Sequence, residues 1–106
     1  MMRLVPIEVE GHTALGVEVL LPGTTLLAIT INDGYIMCGA LDVQLLNERL
    51  KDRRIIAGRA VGVRTFEQLL EAPLESVTDT ARELGIVPGM KGHDAIAAIA
   101  ERHARS

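Results

Sequence analysis

Aromatic residues are almost absent from this chain of 106 residues, which has no Trp, one Tyr and one Phe. Proteins that bind single-stranded nucleic acid stack its bases on several aromatic side chains, and proteins that bind duplexes carry a basic surface. With two aromatic residues and a net charge of −3, the chain has neither feature. We therefore expect no nucleic-acid partner, and the hydrophobic content of 48% predicts an aliphatic core.

Cysteine is also scarce. Cys38 is the only one, so no disulfide can form within the chain. His12, His93 and His103 do not combine with Cys38 at the spacing of a zinc site. No nucleotide-binding motif is present either. The sequence therefore predicts no metal and no cofactor, and the free thiol fits a reducing, cytoplasmic compartment.

Long hydrophobic runs are missing as well, since no stretch approaches the roughly 18 apolar residues of a membrane helix. Glu8 and Glu10 interrupt the segment that would form the apolar region of a signal peptide. We expect a cytoplasmic protein with no membrane partner and a single domain over residues 1–106. The high hydrophobic content of so small a chain predicts a homo-oligomer, because much of its apolar surface would remain uncovered.

The first third of the chain has the two-residue period of β-strands. Apolar side chains alternate with others from Val5 to Val9 and from Leu15 to Leu21, and a third strand is predicted from about Thr25 to Ile31. The sequence Asn32-Asp33-Gly34 is typical of a hairpin turn that leads into a fourth strand at Tyr35. Three antiparallel pairings are therefore predicted.

After Gly39 the period becomes helical, with Val43, Leu46 and Leu50 on one face, and a buried strand is predicted from Ile55 to Val63. A strand, helix and strand in this order favour a parallel pair. Further helices are predicted after the capping-box residue Thr65, from Ser76 to Leu84 and from His93 to Arg105. The expected fold is an α+β two-layer sandwich, with a mixed, mostly antiparallel sheet and a helical C-terminal third.

Cys38 and Gly39 lie at the predicted turn from strand to helix, where a helix N-terminus stabilises a thiolate. Asp42 lies one turn further on, where it would cap the helix and compete for the same positive end. Two interpretations remain open. Cys38 is either a small core side chain, which we favour, or a nucleophile.

Arg59 lies within the predicted strand, on the same face as several apolar side chains. A guanidinium in such surroundings needs an acceptor, and Asp42 is the first choice. Gly58, Ala60 and Gly62 leave the opposite face open to close packing. We favour a structural role for Arg59, with ligand binding by Arg59 and the nearby Arg64 as the alternative.

Five segments resemble those of the YunC-like family, small bacterial and archaeal proteins classed as a domain of unknown function. These segments are 34–42, 58–65, 69–78, 84–86 and 89–92. The resemblance covers nearly the whole chain. It implies a compact α/β two-layer sandwich and supplies neither a substrate nor an assigned catalytic residue.

Two functions follow as hypotheses. The first is a self-associating module that binds a small anionic ligand near Cys38, with Gly39, Asp42, Arg59 and Arg64 as ligand-binding residues. The second is a thiol-dependent enzyme with Cys38 as nucleophile. The backbone of Gly39 and Ala40 would then donate to an oxyanion, and Arg59 or Arg64 would orient an acidic substrate. The sequence identifies no base for this enzyme, so whether the protein is an enzyme stays open.

Overall fold

The structure is a computed structural model that describes residues 1–39 and 54–104. These residues form one mixed sheet and three helices. The strands are β1 (Met2–Val9), β2 (His12–Leu21), β3 (Thr24–Ile31), β4 (Gly34–Met37), β5 (Ile56–Arg59) and β6 (Ser76–Val77). The helices are α1 (Phe66–Glu71), α2 (Asp79–Glu83) and α3 (Gly92–Ala104).

The six strands lie in the sheet in the order in which they occur in the chain. β1 to β4 form an antiparallel meander, which confirms the three predicted antiparallel pairings. All three of its turns use left-handed backbone, at Glu10 and Gly11 (φ of 50° and 81°), at Gly23 (φ of 78°) and at Asn32 (φ of 53°). Glycine and asparagine adopt this conformation readily, so the turn residues fix the register of the hairpins.

β4 and β5 run parallel, as the strand, helix and strand pattern predicts, with Met37 opposite Arg59. The predicted helix between them falls at 43–51, outside the described residues. The predicted strand from Ile55 to Val63 is too long. β5 ends at Arg59, and the chain turns at Gly62, where φ is +74°.

The C-terminal third is helical, and Thr65 caps α1 by accepting the Gln68 N–H at 3.1 Å. The predicted helix from Ser76 to Leu84 is wrong at its start. Ser76 and Val77 instead pair with Arg59 and Gly58 as a short antiparallel strand. Thr78 then caps α2, which begins at Asp79.

The helices α1 and α3 pack on one face of the sheet, which we call the inner face. Gly16 and Gly34 allow this close approach, since a Cβ at Gly16 would lie 2.9 Å from Phe66 and one at Gly34 would lie 2.8 Å from Ile99. The largest buried side chains confirm an aliphatic core: Leu27, Ile29, Ile36, Leu69, Leu74, Ile86, Ile96, Ile99 and Val9. The fold is therefore α+β with a mixed, mostly antiparallel sheet. No helix in 1–39 or 54–104 is long and apolar enough to cross a membrane.

Candidate functional site

The candidate residues Cys38, Gly39, Arg59 and Arg64 gather at one end of the sheet. Cys38 and Gly39 follow β4, and Arg59 is the last residue of the parallel strand β5. β3 runs antiparallel to β4, so its first residues, Thr24 and Thr25, lie at this same end. Ligands in open α/β sheets commonly bind at the carboxyl ends of parallel strands, which makes this end of the sheet the place to search for a site.

Cys38 is buried, with 7% of its surface exposed, which confirms its prediction as a core residue. Its backbone N–H donates to the Leu27 carbonyl at 3.0 Å, and the Leu27 N–H donates to Sγ at 3.5 Å. The thiol therefore points towards β3 and the core. In this position the thiol contributes packing, and little of the residue is accessible to a solvent-borne reagent.

Arg59 pairs with a carboxylate, as expected for a guanidinium in these surroundings, and its partner is Glu75. Nη1 of Arg59 donates to Oε1 of Glu75 at 3.0 Å, and the Glu75 N–H donates to the Arg59 carbonyl at 2.7 Å. The side chain of Arg59 is 31% exposed and that of Glu75 is 46% exposed. The proposed partner Asp42 lies outside the described residues.

The Nε of Arg59 is fully enclosed and has no hydrogen-bond partner among the described residues. Gly39 lies beside the same guanidinium, because a Cβ built on it would be 3.7 Å from Nη2 of Arg59 and 3.6 Å from Val61. The structure therefore brings Gly39 and Arg59 together as the sequence suggested. Both distances are ordinary van der Waals contacts, so Gly39 is not forced to be glycine by its neighbours.

Arg64 follows β5 and lines a surface pocket of about 460 Å³, which we call the Arg64 pocket. Its lining residues are Leu21, Gly23, Thr24, Thr25, Val63 and Arg64. Within the described residues, Arg3, Arg54, Arg59 and Arg102 all form ion pairs with carboxylates. Arg64 is exposed and forms no ion pair with any of these described residues.

Thr24 and Thr25 are the pocket residues that sequence reasoning missed. The Pro22-Gly23 turn does place them at a strand end, which is a signal visible in the sequence. Their distance from Arg64 along the chain hides the shared pocket, since the pocket depends on the order of strands in the sheet. Threonine hydroxyls and a guanidinium together offer hydrogen-bond donors to a ligand oxygen.

The histidines do not form a metal site among the described residues. His93 contacts Glu10 through Nε2 at 3.5 Å and its neighbour Asp94 through Nδ1 at 3.3 Å, on the protein surface. No group of three or more His, Cys, Asp or Glu side chains is arranged to hold a metal in the part of the chain that the structure describes.

Comparison with known proteins identifies a matching family and a relative that is similar over nearly the whole chain. The family described as "Domain of unknown function (DUF1805)" matches residues 37–99, a range that includes Cys38, Gly39, Arg59 and Arg64. The uncharacterized protein YunC of Bacillus subtilis (strain 168) is 59% identical over 96 residues, which cover 91% of this chain and 95% of YunC.

A solved structure is similar over almost the whole fold. It is the crystal structure of a protein of unknown function, TA1206, from Thermoplasma acidophilum, with a TM-score of 0.81 and 31% identity. The match covers 92% of this chain and 91% of that protein. The sequence match, the identity to YunC and the shared fold agree, and the chain belongs to the DUF1805 family.

Proposed function

We propose that the protein is a non-catalytic, self-associating module of the cytoplasm that binds a small anion at the carboxyl end of β4 and β5. The observation that carries the proposal is the Arg64 pocket. There a guanidinium with no carboxylate partner among the described residues lines about 460 Å³ together with Thr24 and Thr25. The space is large enough for a phosphate, a sulfate or a small carboxylic acid.

The chemistry of the lining favours an oxyanion. A guanidinium presents paired N–H donors that match two oxygens of a carboxylate or phosphate, and charge-assisted hydrogen bonds of this kind are stronger than neutral ones. Each threonine hydroxyl supplies one further donor. Gly23 adopts a φ of 78° and carries no side chain, so the backbone at the rim of the pocket is open to the ligand.

Arg59 has a secondary part in this proposal. Glu75 already neutralises its guanidinium, so an anion at Arg59 would have to compete with a carboxylate of the protein. We therefore assign the principal contact to Arg64. Arg59 and Gly39 lie at the same end of the sheet but do not line the Arg64 pocket, so they have no direct contact with the anion in this proposal.

Titration with inorganic phosphate tests the proposal. Phosphate at constant ionic strength should raise the melting temperature in a saturable way, because a ligand that binds only the native state stabilises it by mass action. Arg64→Ala should weaken phosphate binding at least tenfold, about 1.4 kcal/mol, since it removes the charge-assisted hydrogen bonds.

Arg82→Ala is the matched control. Arg82 is exposed on α2, far along the chain from the pocket, and within the described residues it also forms no ion pair. This variant should bind phosphate as the wild type does. Equal weakening in both variants would show only a general charge effect, and an absence of saturable stabilisation in the wild type would rule out this ligand class.

The thiol-dependent enzyme remains the alternative hypothesis, and the burial of Cys38 argues against it. A nucleophile has to meet its substrate, and an activated thiol is alkylated well below the ordinary cysteine pKa of about 8.5. Iodoacetamide should therefore modify the native protein slowly at neutral pH and rapidly only after denaturation. Rapid alkylation of the native protein near pH 6 would favour the enzyme.

A further inference from the structure

The Arg64 pocket has apolar walls as well as hydrogen-bond donors. Leu21, the last residue of β2, lines it and is 45% exposed. Val63 lines it too, and Val63 is partly buried because it packs against the hydrophobic core. An inorganic oxyanion has only oxygen atoms at its surface, so it makes no use of either side chain. Binding pockets for organic ligands combine apolar walls with a few polar groups in this way.

The polar and apolar groups of the pocket alternate with each other. Leu21 and Thr24 are partners in the register of β2 and β3, so their side chains share one face with Cβ atoms about 5 Å apart. Val63 directly precedes Arg64 in the chain. Both a hydroxyl and a guanidinium therefore have an apolar side chain as a close neighbour. A ligand that contacts both kinds of group has an anionic part and an apolar part.

The size of the pocket favours such a ligand over an inorganic anion. A volume of about 460 Å³ corresponds to about fifteen water molecules at roughly 30 Å³ each. A phosphate ion has five non-hydrogen atoms and would leave most of this space to water. An aliphatic acid with six carbons has eight, arranged as a chain, so it can contact the donors and an apolar wall at the same time.

The charge of the pocket favours a carboxylate as the anionic part. Arg64 is the one charged residue among the described residues that line the pocket. A carboxylate carries a single negative charge, and its two oxygens match the paired N–H donors of a guanidinium. A phosphate monoester carries about −1.5 to −2 at pH 7, which one guanidinium would not neutralise.

The backbone that carries Arg64 and Val63 is held in place before any ligand binds. The Arg64 N–H donates to Oε1 of Gln68 at 2.7 Å, and the Gln68 N–H donates to the hydroxyl of Thr65 at 3.1 Å. These hydrogen bonds fix the chain at the start of α1. A ligand therefore does not have to order this segment, which lowers the entropic cost of binding.

We infer that the ligand of the Arg64 pocket is a short aliphatic carboxylic acid. Its carboxylate accepts hydrogen bonds from the guanidinium of Arg64, and its hydrocarbon chain lies against Leu21 and Val63. This inference rests on the anion site in the proposed function and names the class of its ligand.

Isothermal titration calorimetry with acetate, butyrate and hexanoate, at pH 7 and constant ionic strength, tests the inference. Affinity should rise with chain length by about twofold or more for each methylene that leaves water for an apolar wall. Hexanoate should therefore bind at least tenfold more tightly than acetate. Arg64→Ala should weaken hexanoate binding at least tenfold, and hexylamine, which has the same chain and a positive charge, should not bind.

The variant Leu21→Ser tests the position of the hydrocarbon chain. It should lower the ratio of hexanoate to acetate affinity at least threefold, because it removes one apolar wall. Leu21 is exposed, so the circular dichroism spectrum should show a folded protein. Leu15→Ser is the matched control, since Leu15 lies on the same strand, is 39% exposed and does not line the pocket. This variant should keep the ratio of the wild type.

The remaining outcomes count against the inference. Equal affinities for acetate and hexanoate, together with saturable binding of phosphate, would overturn the ligand class and leave the anion site in place. A chain-length effect that survives Leu21→Ser, or binding of hexylamine as tight as that of hexanoate, would place the hydrocarbon chain elsewhere and overturn the inference. The absence of binding by phosphate and by all three acids would overturn both the inference and the proposed function.

Discussion

At the scale of single residues, Gly92 marks the closest approach of two segments of the backbone. It is the first residue of α3, and its N–H donates to the Ala72 carbonyl at 3.2 Å. A Cβ built on Gly92 would overlap the carbonyl oxygen of Leu69 and press on Ile36. A carbonyl in helix α1 cannot rotate away as a side chain can, so the start of α3 can pack here only as glycine.

Gly92→Ala should therefore destabilise the protein by about 2 kcal/mol or more, because the new methyl group has to displace backbone. Gly39→Ala is the comparison, since its Cβ would make only ordinary contacts with Val61 and Arg59. Its effect should stay within about 0.5 kcal/mol. Urea denaturation of both variants measures the difference, and equal effects would contradict this account of the packing.

At this scale, the environment that a residue requires could be predicted from the sequence more easily than the residue that it contacts. The usual burial of a free cysteine predicted Cys38 in the core, and the chemistry of Arg59 required an acceptor. Its partner Glu75 follows α1, and the two meet only because β6 pairs with β5. A strand of two residues has too few side chains to show a period, so the sequence contains no local signal of that pairing.

At the scale of elements, Thr78 joins β5 to α2. It is the one buried polar side chain among the described residues, with 2% of its surface exposed. Its hydroxyl donates to the Ile55 carbonyl at 2.6 Å and accepts the N–H groups of Ala57 and Ala81 at 3.2 and 3.3 Å. One side chain thus satisfies backbone groups of the strand and caps the helix.

Thr78→Val should cost about 2 to 4 kcal/mol of unfolding free energy, because the isosteric side chain leaves these backbone groups buried without partners. Thr78→Ser keeps the hydroxyl and loses one methyl group, so it should cost about 1 kcal/mol. Thermal or chemical denaturation of the two variants measures both values. If valine is tolerated as well as serine, the hydroxyl has no part in holding β5 against α2.

The same residue explains why the sequence misplaced the start of α2. Both Ser76 and Thr78 are good N-caps, and the chain between them contains nothing that forbids a helix. The choice is made by tertiary contacts, because Ser76 pairs with β5 and the Thr78 hydroxyl bonds to the backbone of Ile55 and Ala57. Hairpin turns at Glu10-Gly11 and Asn32, by contrast, depend on neighbouring residues alone and were predictable.

At the scale of the whole molecule, a second pocket of about 440 Å³ lies at the end of the sheet opposite the Arg64 pocket. Tyr35 lines it together with Arg54, Arg102 and other residues. Burial raises the pKa of the Tyr35 phenol above its ordinary value of 10.0. The folded protein therefore holds the phenol proton more tightly than the unfolded chain does.

It follows that Tyr35 makes unfolding easier in alkali. Its contribution to stability is complete below about pH 10 and is lost as the pH rises through the raised pKa, because the unfolded chain releases the proton first. Tyr35→Phe should flatten the loss of unfolding free energy above pH 10. Tyr35 is the only tyrosine in the chain, so the absorbance of its phenolate reports the pKa directly. An ordinary pKa in the native protein would contradict this.

The whole molecule also shows where sequence reasoning ends. The order of β1 to β4 could be predicted, because consecutive strands joined by tight turns pair with each other. The Arg64 pocket could not, since it joins the turn at Gly23 to a residue after β5. The identity of the inner face was equally hidden, because alternation shows that a strand has two faces and not which one the helices cover.

The position of α3 at the end of the chain has a consequence for synthesis. The meander of β1 to β4 is complete by Met37, whereas Ile96 and Ile99 of the inner core belong to the last helix. At roughly 5 to 20 residues per second, a nascent chain would display these four strands for several seconds before α3 is made. During that time the apolar inner face, which α1 and α3 cover in the finished fold, is open. The period of greatest risk of aggregation therefore falls on the ribosome, before the finished protein exists.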